Sequence, residues 1–233
     1  MISHQNKCIF IHIPKVAGTS LISLLSDTNS AVTTNEKVMP FEPDFNKFDP
    51  PAPHLRARDH IKYKHITENE FHSYFKFTFV RNPWDRIVSE YKYRRHPPKY
   101  DFKTFLFKHF PMPSWTDEYC HVIPQYDFIY DKDDNCLLDY VGKFENLQND
   151  FYEVCQQLNL PDLKLPHKNK SLSFFRRDNS LYNVLKTIKD AVSINQKRNT
   201  FSKYTEYYDD ETKEWIAKIY EKDILAFDYK FGE

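Results

Sequence analysis

The residues best placed to do chemistry lie in Pro14-Lys15-Val16-Ala17-Gly18-Thr19-Ser20. This turn follows the apolar run Cys8–Ile13 and precedes an apolar-periodic segment that starts at Leu21. A strand, a small-residue loop with one lysine and then a helix is an arrangement that binds phosphate or sulfate. Loop amides and first-turn N–H groups face the anion, the helix dipole favours negative charge, and Lys15 adds a full positive charge. Gly18 is one of only 3 glycines in 233 residues. A chain this sparing with glycine is expected to use it where backbone passes close to something. A second group lies in Phe79-Val80-Arg81-Asn82-Pro83-Trp84-Asp85-Arg86-Ile87-Val88-Ser89. Arg81 offers a planar fork to a phosphate as it leaves a strand, and Ser89 offers a hydroxyl from the second turn of a helix. Arg86, three residues before Ser89, falls on a neighbouring face. Each group also has a plain structural reading: an arginine ending a strand, and an ordinary capped helix.

The elements that must hold these residues follow from periodicity. Strands are expected over about 7–13 and over Lys76–Val80. Helices are expected over about 19–26, from Pro83 through WDRIVSEYKYRR, over Phe102–Phe110, Leu147–Leu158 and Asp210–Ile224. Pro83 suits a first helical position. A short helix is expected over Arg58–His65, and Thr67 with Glu70 forms a capping box for another through Tyr74. Phe128–Tyr130 and Leu137–Phe144 read as a strand pair around Asp131–Asn135. Met39–Pro53 is a Pro-rich loop of about 39–53, either a substrate wall or a surface excursion. Strands alternating with helices indicate an α/β fold, with a central, mostly parallel sheet flanked by helices. Ligands in such sheets sit at the carboxyl ends of the strands, where both groups would lie.

The length suits a single domain, residues 1–233. Charge is balanced at 33 basic against 33 acidic residues, so nothing global points to nucleic acid or an anionic membrane. Locally, Arg81–Lys99 concentrates Arg81, Arg86, Lys92, Arg94, Arg95 and Lys99 against Asp85 and Glu90. The four cysteines, Cys8, Cys120, Cys136 and Cys155, are scattered without C-x-x-C spacing, which favours reduced thiols over a disulfide framework or zinc site. No metal-ligand spacing is evident, no apolar run reaches a membrane-spanning length, and no signal peptide is visible. The chain reads as cytoplasmic; a lumenal catalytic fragment of a longer Golgi-type protein would read the same way.

Together the two groups, IHIPKVAGTS and FTFVRNPWDRIVSEY, resemble the sulfotransferase superfamily. They are most similar to its carbohydrate branch, which includes the heparan, chondroitin and dermatan enzymes and their bacterial relatives. A weaker similarity continues from Gln125 through VGKFENLQNDF and LPHKNKS to YTEYYDDETKEWIAKIYEKDILAFDYKF. The resemblance implies a P-loop-like three-layer fold and a donor, 3′-phosphoadenosine 5′-phosphosulfate, released as adenosine 3′,5′-bisphosphate. It implies that Lys15, Ala17, Gly18, Thr19 and Ser20 grip the 5′ end and that Arg81 and Ser89 grip the 3′-phosphate. In relatives a His-x-Asn-x-Ser segment leads directly to the Tyr-Tyr-Asp found here at Tyr207-Tyr208-Asp209. In this chain residues 172–203 intervene as an atypical insertion, and either Lys168–Ser171 or Arg198–Ser202 takes the family position.

The chemistry implied is in-line transfer of a sulfuryl group to a hydroxyl of a carbohydrate or glycolipid, without a metal. Lys15 would neutralise charge on the leaving oxygen. Histidine suits the base that the acceptor hydroxyl needs. His54 is the first candidate, His60 the second, and Glu36 and Glu42 follow; His12 is read as a strand residue beneath the loop. Two other readings remain open: a catalytically inactive sulfotransferase-like binding module, and a P-loop nucleotide kinase. The kinase pattern places lysine after its second glycine, whereas Lys15 precedes Gly18.

Overall fold

A computed structural model describes residues 1–27, 32–33, 54–94, 96–97, 99–114, 116–165 and 201–233. The Pro-rich loop 39–53, Glu36, Glu42, Arg95, Lys168–Ser171 and residues 172–200 of the insertion lie outside the described residues.

Two strands form the middle of the sheet, β2 (Cys8–Phe10) and β4 (Phe75–Val80). Both are buried along nearly their whole length, as expected of strands covered on each side; in β4 one face carries Phe75, Phe77 and Phe79 and the other Lys76, Thr78 and Val80. They run parallel, with Phe10 opposite Phe77. The contact continues past β2: the Ile11 amide donates to the Phe77 carbonyl at 3.0 Å, and the Thr78 hydroxyl donates to the Ile11 carbonyl at 2.6 Å. On the far side of β4, β5 (Tyr140–Lys143) adds another parallel strand. On the near side of β2, β1 (Ile2–Ser3) and β3 (Val32–Thr33) are antiparallel, which completes a five-stranded sheet in the order β3-β1-β2-β4-β5. The sheet is therefore mixed: its interior is parallel and its β1–β3 margin is antiparallel, where a mostly parallel sheet was expected.

Helix α1 (Gly18–Asp27) follows β2 and buries Leu21 and Leu25 against the sheet. Helices α2 (Ala57–Lys62) and α3 (Glu68–Ser73) precede β4. The expected capping box starts α3, with the Thr67 hydroxyl accepting from the Glu70 amide. Helix α4 (Pro83–Tyr93) leaves β4 through an Asn82 cap, with Pro83 in the first turn. It packs with α5 (Phe102–Lys108) and α9 (Asp210–Ile219) into a second core of Trp84, Ile87, Tyr91, Phe102, Phe105, Ile216 and Tyr220. Much of the high aromatic content is spent here and on Phe10, Phe77, Phe79 and Phe151 in the sheet core.

Two expected elements differ. Phe128–Tyr130 is not a strand: Tyr126–Ile129 forms helix α7, after the short helix α6 (Asp117–Cys120). The buried Asp223 carboxylate accepts from the Gln125 and Tyr126 amides at 2.9 and 2.8 Å, satisfying donors that the start of a helix leaves free. Stacking of Tyr126 on Tyr130, 4.0 Å apart, supports the turn. Of the expected pairing, the Tyr130–Cys136 bridge and a bond from the Leu137 amide to the Ile129 carbonyl remain; the second expected strand is present as β5, paired with β4 instead. The second difference is that Asp210–Ile224 divides into α9 and α10 (Glu221–Phe227). The break is at Tyr220, whose buried hydroxyl donates to the Val122 carbonyl at 2.6 Å. Helix α8 (Leu147–Gln157) follows β5 as expected.

Candidate functional site

Because β2 and β4 are parallel, the loops that leave their carboxyl ends meet. The join is direct: Arg81 Nη1 donates to the Lys15 carbonyl at 3.1 Å. Lys15 and Ala17 both adopt left-handed backbone, φ 72° and 66°, a conformation that costs about 1–3 kcal/mol for a residue with a side chain. Left-handed residues alternating with ordinary ones turn successive amides toward one side, the geometry of an anion nest. The Ala17 carbonyl accepts from the Ser20 and Leu21 amides. The amides of Val16, Ala17, Gly18 and Thr19 have no partner among the described residues, and neither do the hydroxyls of Thr19 and Ser20.

Gly18 is where the backbone makes its close approach. A Cβ there would lie 2.0 Å from Cδ2 of His12. The His12 ring thus sits beneath the loop, as its strand position suggested. Gly18→Ala is expected to displace that ring or the loop, costing about 1–3 kcal/mol of stability as overpacking does. A denaturant melt of the variant checks this, and an unchanged midpoint would contradict it.

Lys15 Nζ lies 3.7 Å from the centroid of the Tyr93 ring, and no carboxylate pairs with it among the described residues. Burial lowers its pKa to about 8; Glu90 opposes this, while Arg81 and Arg94 add to it. The site thus holds an ammonium that no carboxylate among the described residues pairs with.

Arg81 is more engaged than its sequence position suggests. Nε and Nη2 donate to Asp85 Oδ2 at 2.9 and 2.7 Å, and the guanidinium lies 4.2 Å from the Phe144 ring centroid. Its amide and carbonyl are both bonded to the Gln125 side chain, at 2.8 Å each. One N–H on each terminal nitrogen is left for a ligand. Ser89 is half-buried and its hydroxyl has no partner among the described residues.

The basic cluster is largely spent inside the protein. Arg86 is fully buried, donating to the carbonyls of His121 and Ile123 at 3.2 and 2.6 Å. Arg94 pairs with Glu90 at 2.7 Å and with Asp117 at 2.6 Å. Lys92 remains exposed, over the Tyr207 ring.

Of the two histidine candidates, the structure brings one to the loop. His54 is 8% exposed, and its ring lies 4.5 Å from that of His12 and 5.2 Å from that of His121. Its Nδ1 is 3.0 Å from the His12 carbonyl oxygen. A carbonyl only accepts, so Nδ1 carries the proton and Nε2 presents a lone pair. Burial lowers the His54 pKa to about 4, against the pull of the His12 carbonyl bond. The ring is therefore neutral at pH 7. His60 lies elsewhere, buried on α2 with its ring 6.0 Å from that of His65. No contact joins it to Lys15, His54 or His121 among the described residues, and burial holds its pKa well below the usual value.

Glu90, Arg94, Asp117 and His121 were not singled out in the sequence for the site, yet they adjoin it. His121 Nδ1 lies 2.8 Å from Glu90 Oε2, and its ring stacks on that of Tyr93 at 5.7 Å. Burial alone would raise the Glu90 pKa, but His121 and Arg94 outweigh it and hold the carboxyl below the usual range. One readable signal was the Asp117-x-x-x-His121 spacing, which puts both side chains on one helical face. Glu90 and Arg94 have the same spacing.

A family model described as Sulfotransferase family matches residues 1–230. A 92-residue stretch, 40% of this chain and 73% of the relative, is 32% identical to an uncharacterized protein of Archaeoglobus fulgidus. No solved structure matches the chain. With the match running from the β1–β2 margin to the end of α10, the chain belongs to the Sulfotransferase family.

Proposed function

We propose that this protein transfers a sulfuryl group from 3′-phosphoadenosine 5′-phosphosulfate to a hydroxyl of a carbohydrate or glycoconjugate. The observation that carries this reading is the loop from Lys15 to Ser20. It combines left-handed backbone with amides and an ammonium that have no hydrogen-bond or carboxylate partner among the described residues. Such a loop suits a multiply charged anion, and the family suggests which one. The carbohydrate acceptor rests on the wording of IHIPKVAGTS and FTFVRNPWDRIVSEY. We further take residues 1–233 as one domain of P-loop-like, three-layer architecture.

In this reading the Val16–Thr19 amides, with the Thr19 and Ser20 hydroxyls, hold the 5′-phosphosulfate. The two remaining N–H groups of Arg81 and the Ser89 hydroxyl meet the 3′-phosphate. The donor supplies the sulfuryl group. His54 Nε2 accepts the proton of the acceptor hydroxyl as its oxygen bonds to sulfur on the face opposite the leaving group. The bond from sulfur to the bridging oxygen breaks, that oxygen keeps the electron pair, and Lys15 stabilises the charge left there. His12 acts through its carbonyl, fixing the His54 tautomer.

The test is acceptor-dependent transfer of labelled sulfate from the donor to a panel of oligosaccharides. Labelled sugar with release of adenosine 3′,5′-bisphosphate is the expected result. Tight donor binding with no transfer to any hydroxyl acceptor would replace this reading with that of a binding module.

A further inference from the structure

Three side chains from two distant parts of the chain converge beside the loop: His54 before α2, and Asp117 and His121 one turn apart at the start and end of α6. One ligand-capable atom of each lies within 4.8 Å of the others. We propose that His54 Nε2, His121 Nε2 and Asp117 Oδ1 form a site for a divalent transition-metal ion of the zinc class.

The argument rests on what the opposite atom of each side chain is doing. His54 gives its Nδ1 proton to the His12 carbonyl, which exposes Nε2 as a lone pair. His121 gives its Nδ1 proton to the Glu90 carboxylate at 2.8 Å, which does the same. Asp117 has its Oδ2 held by Arg94 at 2.6 Å, leaving Oδ1 at 3.5 Å from His121 Nε2. Imidazoles whose other nitrogen donates to a carbonyl or carboxylate are the usual outer-shell arrangement of metal-binding histidines. Imidazole and carboxylate donors together suit zinc-class ions. Tetrahedral ligands about 2.0–2.2 Å from zinc stand roughly 3.4 Å from one another. The His121–Asp117 pair already has that spacing. His54 and His121 are buried, whereas the Asp117 side chain is 57% exposed and can rotate inward to close the set. Glu90 and Asp117 supply negative charge beside the set, which Arg94 and the nearby Lys15 ammonium offset, so the ion would be held by its ligand atoms rather than by net charge.

An ion here takes the lone pair assigned above to His54 as base, so zinc would act as a reversible inhibitor of transfer. The site itself does not depend on the transfer reading. It is tested by titrating the purified full chain with Co2+, with neither donor nor acceptor present, and following visible d–d absorption, then displacing Co2+ with Zn2+. One Co2+ per chain with tetrahedral-type absorption is expected. Asp117→Asn should weaken binding by at least about tenfold and His121→Ala should abolish the absorption, each in protein that still melts cooperatively. Asp117→Asn changes an exposed group with little change of shape, so it carries the test if His121→Ala does not fold. Absence of Co2+ binding, or unchanged affinity in the folded variants, would overturn the proposal whatever the transfer assay shows.

Discussion

His54→Ala is expected to lower kcat by roughly 10²–10⁴ while affinity for adenosine 3′,5′-bisphosphate stays the same. This is the usual worth of a positioned general base. The expectation rests on a lone pair fixed by geometry. His54 Nδ1 is committed to the His12 carbonyl, so the neutral ring must present Nε2. Burial holds the pKa to about 4, so the ring accepts a proton readily only where charge in the transition state stabilises it. In the proposed reaction the negative charge of the donor supplies that stabilisation. The binding half of the prediction follows because His54 contacts His12 and His121 rather than the unpartnered amides. Near-normal turnover would remove His54 as base. The role would then pass to His121, which is oriented by Glu90 in the same manner.

Lys15→Met should cost roughly 10²–10³ in kcat, the loss seen when one donor to a developing oxyanion is removed. Its fold should survive, because the ammonium makes one ring contact worth about 0.5–1 kcal/mol and no ion pair among the described residues. The same group gives the reaction a pH signature. Lys15 works when protonated, and burial lowers its pKa to about 8. Transfer by the free enzyme, read as kcat/KM, should therefore hold below that pH and fall as pH rises through it. Lys15→Arg, which stays charged, should flatten this alkaline limb. A limb unchanged in the arginine variant would mean that another group sets it.

Much of this was legible in the sequence for a physical reason. Both central strands are rich in apolar and aromatic residues, and each runs into a loop or helix cap built from a few distinctive residues. Patterns of that kind are local, so Cys8–Phe10, Phe75–Val80, Pro83–Tyr93 and the Thr67 capping box could be placed without a structure. What local pattern could not supply was long-range satisfaction of polar groups. Phe128–Tyr130 looks like a strand, but Asp223, distant in sequence, binds the amides that begin a helix there. Arg86 and Arg94 count in the sequence as part of a local basic cluster, yet one is buried against backbone carbonyls and the other is locked between Glu90 and Asp117. In the sequence His54 is the first candidate for the base and His60 the second. Only the folded chain puts one beside the Gly18 loop and the other beside His65.

The most direct test of the central claim is thermal unfolding of the protein with adenosine 3′,5′-bisphosphate, with ATP as control. A ligand at about 100 times its Kd stabilises the fold by about 2.7 kcal/mol. For a chain of this size, that corresponds to a rise in Tm of roughly 5–10 °C. The account predicts this rise with the bisphosphate and none with ATP. No rise with the bisphosphate, or an equal rise with ATP, would contradict the assignment of the Lys15–Ser20 loop and Arg81 to a sulfuryl donor.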